Sequence, residues 1–175
     1  MPPAPAFARK LNEQIANEFA AHQQYVACAV YYDAEALPQL ARFFYRQALE
    51  ERGHAMMMVQ FLLDTGAEVT TPGVAAPRSR FAGVAEPIAL ALAQEQRVSE
   101  QINQLAAIAR EAGDYSSEQF MQWFIKEQVE EVATMGDLLN VVRRNAEVVE
   151  NIEEYVAREG GDTGGSSGAP RTAGG

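Results

Sequence analysis

Four stretches of this chain repeat apolar residues at steps of three and four, and every one of those repeats is broken near its middle by a carboxylate. The first stripe reads Leu11, Ile15, Glu18, His22, Tyr25 and Ala29, and the second Leu40, Phe44, Gln47, Glu51, His54, Met58 and Phe61. The third reads Ile88, Leu92, Glu95, Val98, Ile102 and Leu105; the fourth reads Met121, Phe124, Gln128, Glu131, Met135, Leu138 and Val142. Such steps put each set on one helix face. The chain must therefore fold as long amphipathic helices whose packed faces meet around buried acid.

Prolines and glycines mark the ends of these helices. The spacing predicts helices over 6–36, 39–65, 85–112 and 117–144, with Pro38 opening the second, Gly66 closing it and Gly113 ending the third. Ser116 or Ser117 is expected to cap the fourth. A short fifth helix carries Val148, Val149, Ile152, Tyr155 and Val156. Helices of about 28 residues reach about 42 Å at ~1.5 Å per residue. The connections before the second and fourth helices are short, so each pair forms an antiparallel hairpin. The Thr-, Pro- and Gly-rich segment 67–84 could span ~55 Å if extended, the full length of such a bundle. The expected fold is all-α: a four-helix bundle with one long crossover between helices two and three, plus a short fifth C-terminal helix. Residues 1–5 are expected to be disordered, 6–159 to form the domain, and 160–175 to be a flexible Gly/Ser-rich tail.

The two halves of the chain match each other. Glu18 and Glu51 are 33 residues apart, as are Glu95 and Gln128. At an offset of 77, Glu50 falls on Glu127, Glu51 on Gln128 and His54 on Glu131. Two hairpins of one layout bring these positions to one level, with Glu130 beside them. The stripes contain no Lys or Arg, and Arg52 and Lys126 are expected to point away. An unpaired buried ion costs several kcal/mol, so these carboxylates need a countercharge. A pair of divalent metals supplies it, and oxygen donors with one or two imidazoles suit Fe or Mn. His22 has only Ser99 at the repeat offset and is read as a packed or surface histidine. Met56, Met57 and Met58 read as core filler. Tyr25 either packs or, near oxygen chemistry, hydrogen-bonds a ligand or donates an electron, and Trp123 admits the same two readings.

Composition closes off other classes. The chain has 175 residues and a net charge of −10, which opposes a phosphate-binding surface, so no nucleic-acid partner is expected. Cys28 is the only cysteine, which rules out an intrachain disulfide and Cys-x-x-Cys metal knuckles. No apolar run approaches the ~20 residues of a membrane helix. No secretory signal is evident, and a soluble cytoplasmic protein is expected.

With these residues in place, the sequence resembles the bacterial non-haem ferritins over 6–159. The likeness is carried by NEFAAHQQY (17–25), EERGH (50–54), QEQ (94–96) and QWFIKEQVEE (122–131). Ferritin-like di-iron bundles are themselves described by paired Glu and Glu-x-x-His ligands, so this ligand set follows from the likeness, not from spacing alone. It implies that Glu18, Glu51 and His54 form a first iron site, with Glu51 bridging. Glu51, Glu95 and Glu131 form the second, with Gln128 nearby, and Glu50, Glu127 and Glu130 form a third, transit site. It further implies a homo-oligomeric 24-subunit cage that oxidises Fe(II) to Fe(III) with O2 or H2O2 and stores the mineral inside. The fifth helix would line the four-fold axis, and Glu118 is a candidate pore residue. Arg52 stands where a bacterioferritin would carry its haem-ligating Met, so no haem is expected. The different-class alternatives are a di-iron or di-manganese oxygenase-type enzyme with tightly retained metals, and a metal-free structural bundle.

Overall fold

The computed structural model describes residues 2–159 and 168–174; residues 160–167, the glycine-rich start of the expected tail, lie outside the described residues. Helix α1 spans Pro5–Ala34, α2 Pro38–Asp64, α3 Ala85–Glu111, α4 Tyr115–Arg144 and α5 Val149–Glu159. These bounds differ from the sequence reading by two residues at most, apart from α5's C-terminal end, which runs on past Val156. Proline opens α1 and α2, where its missing N–H costs nothing.

Three helices end in one way. After α2, Gly66 takes φ +73°, its N–H donates to the Leu63 carbonyl, and Ala67 N–H donates to that of Leu62. After α3, Gly113 at φ +66° and Asp114 repeat the pattern on Arg110 and Ala109. After α1 the left-handed position is held by Ala36 at φ +58°, with Leu37 N–H donating to Tyr32. This is the Schellman arrangement, for which glycine is the unstrained residue.

Helix α4 begins two residues earlier than expected, and neither Ser116 nor Ser117 is its cap. Asp114 is the N-cap: its side chain accepts from Ser117 N–H at 3.1 Å and from Ser117 Oγ at 2.7 Å. A carboxylate accepts both groups and opposes the helix dipole, so it outcompetes a hydroxyl. The same Asp114 accepts Ala4 N–H at 2.9 Å, and Pro3 is buried. The expectation of disorder over 1–5 therefore gives way at residues 3–5, which are anchored to the α3–α4 turn.

The connections set the helix directions. Links of three residues make α1–α2 and α3–α4 antiparallel pairs, and each pair packs together. The crossover runs along α1, held by two carboxamides. Asn12 donates to the Glu68 carbonyl and accepts from Thr70 N–H, and Gln24 does the same with Arg78 O and N–H. It arrives near the end of α1, where Tyr32 Oη donates to the Val84 carbonyl. The order is up, down, down, up, with α1 packed on α3. Glu153 of α5 receives the Gln39 and Leu40 N–H groups at 2.8 and 2.9 Å, fastening α5 onto the start of α2.

The apolar core comes in two pieces. One holds Tyr25, Tyr32, Phe44, Ile88 and Met135 with Ile152 of α5; the other holds Phe7, Leu11, Leu62, Ile102 and Phe124. Between them lies a polar layer of Glu18, Glu51, His54, Glu95 and Gln128, all buried. A fully buried Leu or Phe contributes about 1.5–3 kcal/mol, whereas an uncompensated buried carboxylate costs several. The layer is held against stability, so its presence points to a ligand.

Candidate metal centre

Each helix delivers its part of the layer from mid-length. Glu18 of α1 and Glu51 and His54 of α2 converge so that one donor atom from each lies within 4.8 Å of the other two. His54 Nδ1 stands 3.9 Å from Glu18 Oε2 and 3.7 Å from Glu51 Oε2, too long for hydrogen bonds and suited to a shared ion. Gln14 Nε2 donates to Glu18 Oε1 at 2.8 Å, leaving Oε2 buried with no hydrogen-bond partner.

The second half forms around Glu95 of α3, which is 0 % exposed. Tyr25 Oη donates to its Oε1, and Gln128 Nε2 donates to its Oε2 at 3.0 Å. The Gln128 Oε1 is buried and unpartnered, an oxygen with lone pairs left to offer. Glu131, one turn on, is half-buried and feels Glu95, Glu50, Glu127 and Glu130.

Electrostatics follow from this crowding. Burial first, then Glu51, lifts the Glu18 carboxyl well above the usual carboxylate range. Burial and Glu95 do the same to Glu51, and burial with Glu95 to Glu131. Glu95 is pushed up to about 7 by burial, opposed by the Tyr25 hydrogen bond. Burial, then Glu95, also holds the Tyr25 phenol well above its ordinary value. Without metal these acids hold protons; a cation among the carboxylates would replace those protons and satisfy the orphaned oxygens. Oxygen donors with a single imidazole fit Fe or Mn.

A cavity of about 660 Å³ opens between α2 and α4, and it is bordered by His54, Glu131, Glu50, Glu127 and Glu130. Glu50 is half-buried, raised by burial, and accepts a hydrogen bond from Gln47. Glu127 Oε1 is buried without a partner, while Glu130 is exposed. Lys126 points away from the buried layer as expected: it is exposed, on the rim of this cavity, with Nζ 3.8 Å from Glu130 Oε1, because i and i+4 share a helix face. Arg52 is exposed. His22 is half-buried, and its Nδ1–H donates to the Ala48 carbonyl at 2.6 Å, a hydrogen bond between α1 and α2. Met58 lies in the core, while Met56 and Met57 are half-buried. Trp123 packs edge-on against His54 at 5.7 Å between ring centres, its indole N–H buried and unpartnered. Glu118 is half-buried and ion-paired with Arg110 at 2.8 Å.

Sequence reasoning passed over Gln14. It lies on the same face as Leu11, Ile15 and Glu18 and is 1 % exposed. A buried neutral amide one turn before a buried acid was the available signal.

Comparison with known proteins agrees with this architecture. The model of the ferritin-like domain matches residues 8–145. The chain is 52 % identical to ferritin BfrB of Mycobacterium tuberculosis over 173 residues, covering 99 % of this chain and 96 % of that one. It is 37 % identical to the bacterial non-heme ferritin of Staphylococcus aureus over 134 residues, covering 77 % and 81 %. The fold superposes on an open-pore ferritin from the archaeon Archaeoglobus fulgidus with a TM-score of 0.85 and 26 % identity, covering 89 % of this chain and 96 % of that chain. The all-α bundle with its crossover and fifth helix is the ferritin-like fold, and the chain belongs to the ferritin family.

Proposed function

We propose that this chain is an iron-storage ferritin. It oxidises Fe(II) to Fe(III) at a di-iron centre inside each subunit and deposits ferric oxyhydroxide in the cavity of a 24-subunit cage, in the cytoplasm and without haem. Its substrate is ferrous iron, with O2 or H2O2 as oxidant. The observation that carries this reading is the buried oxygen pair, Glu18 Oε2 and Gln128 Oε1, left without partners in a layer of resisted carboxylates.

Glu18, Glu51 and His54 take the first iron. Glu51 is shared with a second iron bounded by Glu95, Glu131 and Gln128. Tyr25 and Gln128 hold Glu95 from both oxygens, so its lone pairs stay aimed into the layer while its charge is supported. As carboxylates replace protons with iron, their charge is neutralised in place and Fe(III), the harder ion, is favoured over Fe(II). Glu131 stands where a second imidazole would make a symmetric pair, and Gln128 brings no charge. The second iron is therefore held more loosely than the first, and the cavity lined by Glu50, Glu127 and Glu130 gives oxidised iron a way out.

Names of relatives support the reading: BfrB and the Staphylococcus protein are called ferritins. Size-exclusion chromatography after aerobic addition of excess Fe(II) tests it. Iron should co-elute with a particle of several hundred kilodaltons, far beyond two atoms per chain. A stable monomer or dimer would remove the cage; a firm limit of two irons per chain would favour the oxygenase class.

A further inference from the structure

We propose that Gln14 is a positioning residue for the iron centre, holding Glu18 so that only one of its oxygens is offered to metal. The inference rests on the reading of Glu18 as an iron ligand and extends it to a residue outside the ligand set.

The geometry is a short chain of amides along α1. Asn17 Nδ2 donates to Gln14 Oε1 at 3.2 Å, and Gln14 Nε2 donates to Glu18 Oε1 at 2.8 Å. The first bond fixes the direction of the second. With its oxygen engaged by Asn17, the Gln14 carboxamide must turn its NH2 toward the acid, which is the orientation a carboxylate needs. Gln14 is 1 % exposed and Glu18 1 % exposed, so no water competes for either group. Glu18 Oε1 is thereby occupied, and Oε2 is left buried, unpartnered and 3.9 Å from His54 Nδ1.

Two consequences follow. A carboxylate with one oxygen tied by a neutral donor binds metal through the other, so Glu18 is a monodentate ligand with a fixed bite. The donor also supports the charged form of a buried acid without bringing a cation that would repel iron; a Lys or Arg in place of Gln14 would neutralise Glu18 and compete with the metal. Glu95 is held in the same manner, by Tyr25 on Oε1 and Gln128 on Oε2. Glu18 differs in having one oxygen left free. Partners of ligating groups typically account for roughly 10–100-fold in metal affinity.

The test uses the assembled protein carrying Gln14→Leu or Gln14→Met. Both remove the donor, and the methionine keeps the unbranched length of glutamine, so it decides the matter if the leucine variant fails to assemble. Apo-protein is titrated with Co(II) alone under anaerobic conditions, and the initial rate of Fe(II) oxidation is measured against Fe(II) concentration. The expected result is a shifted Co(II) d–d spectrum and a half-saturating Fe(II) concentration raised by roughly ten-fold, with the maximal rate changed less. A purely structural Gln14 would lower the melting temperature while leaving the Co(II) spectrum and half-saturation at wild-type values, and that result overturns the proposal. If wild-type protein binds no Co(II) and oxidises no iron, the iron-centre reading falls and the role of Gln14 falls with it. Wild-type protein that binds Co(II) and oxidises iron, with both variants at wild-type values, removes only the positioning role.

Discussion

His54 Nδ1 lies 3.9 Å from Glu18 Oε2 across the α1–α2 interface, a gap too wide for a hydrogen bond and narrow enough for both atoms to reach one ion. The relationship spans 36 residues of sequence and depends on the tight turn at 35–37, which brings the middles of two antiparallel helices to one level. Beside it, Glu51 Oε2 is 3.7 Å from the same nitrogen. The consequences of this arrangement are measurable.

On the proposed reading Glu51 serves both irons; it lies in the buried group with Glu18 and His54, whereas Glu50 borders the cavity beyond. Glu51→Ala should slow Fe(II) oxidation more than Glu50→Ala, by an order of magnitude or more for loss of a shared ligand. Stopped-flow absorbance checks this; equal rates in the two variants would erase the division between paired and transit positions.

The metal-free protein should lose stability as pH rises. Burial raises Glu18, Glu51 and Glu131 in the folded state, and carries Glu95 from 4.5 to about 7. Between those values the folded chain binds more protons than the unfolded one, so stability declines with increasing pH. Divalent metal takes over as countercharge and should reverse that decline. Melting curves at about pH 5.5 and about pH 8, with and without Co(II), test the sign against ordinary Glu values near 4.3. Glu95→Gln should flatten the metal-free profile. A metal-free melting temperature that climbs over this range would contradict the buried-acid account.

Ala36 occupies the left-handed position that Gly66 and Gly113 hold in the matching turns. Left-handed backbone costs an alanine about 1–2 kcal/mol, and glycine's extra unfolded-state freedom returns part of that difference. Ala36→Gly should therefore stabilise by about 0.5–1 kcal/mol, read from thermal or denaturant unfolding. No space constraint opposes it, since the residue is exposed.

Glu153 joins α5 to the first turn of α2 through two backbone N–H groups. Glu153→Ala leaves those donors unmet and removes a charge matched to the helix dipole, at a cost of about 1–2 kcal/mol. Hydrogen exchange should show faster opening of α5 and of the Gln39 and Leu40 amides, with α3 unchanged. Uniform protection in the variant would mean that Ile152 and Val156 alone hold α5 in place.

Much of this was legible in the sequence because acids interrupt apolar stripes. Glu18, Glu51, His54 and Glu95 stand out against Leu, Phe and Met at steps of three and four, and burial follows from the step. The helix ends were legible where Pro38, Gly66 and Gly113 force them. Less visible were features set by partners distant in sequence. Asp114 caps α4 and also takes Ala4 N–H from 110 residues away, which no local pattern reveals. Gln14 is neutral and reads as the edge of a stripe until its amide is seen on Glu18. Lys126 and Glu130 share an exposed face by simple i, i+4 spacing, but the cavity they border, formed between α2 and α4, is not visible in either stripe. The division of the core into two apolar pieces depends on how four helices align in height, which the matched 33-residue spacing implies only once the crossover's direction is known.

The central claim, that the polar layer between those two pieces is where iron is oxidised, is tested most directly by anomalous diffraction at the iron edge from crystals soaked briefly in Fe(II). The account predicts one peak among Glu18, Glu51 and His54 and a second, weaker peak bounded by Glu51, Glu95, Gln128 and Glu131. Iron found only at exposed carboxylates such as Glu130, with the layer empty, would contradict it.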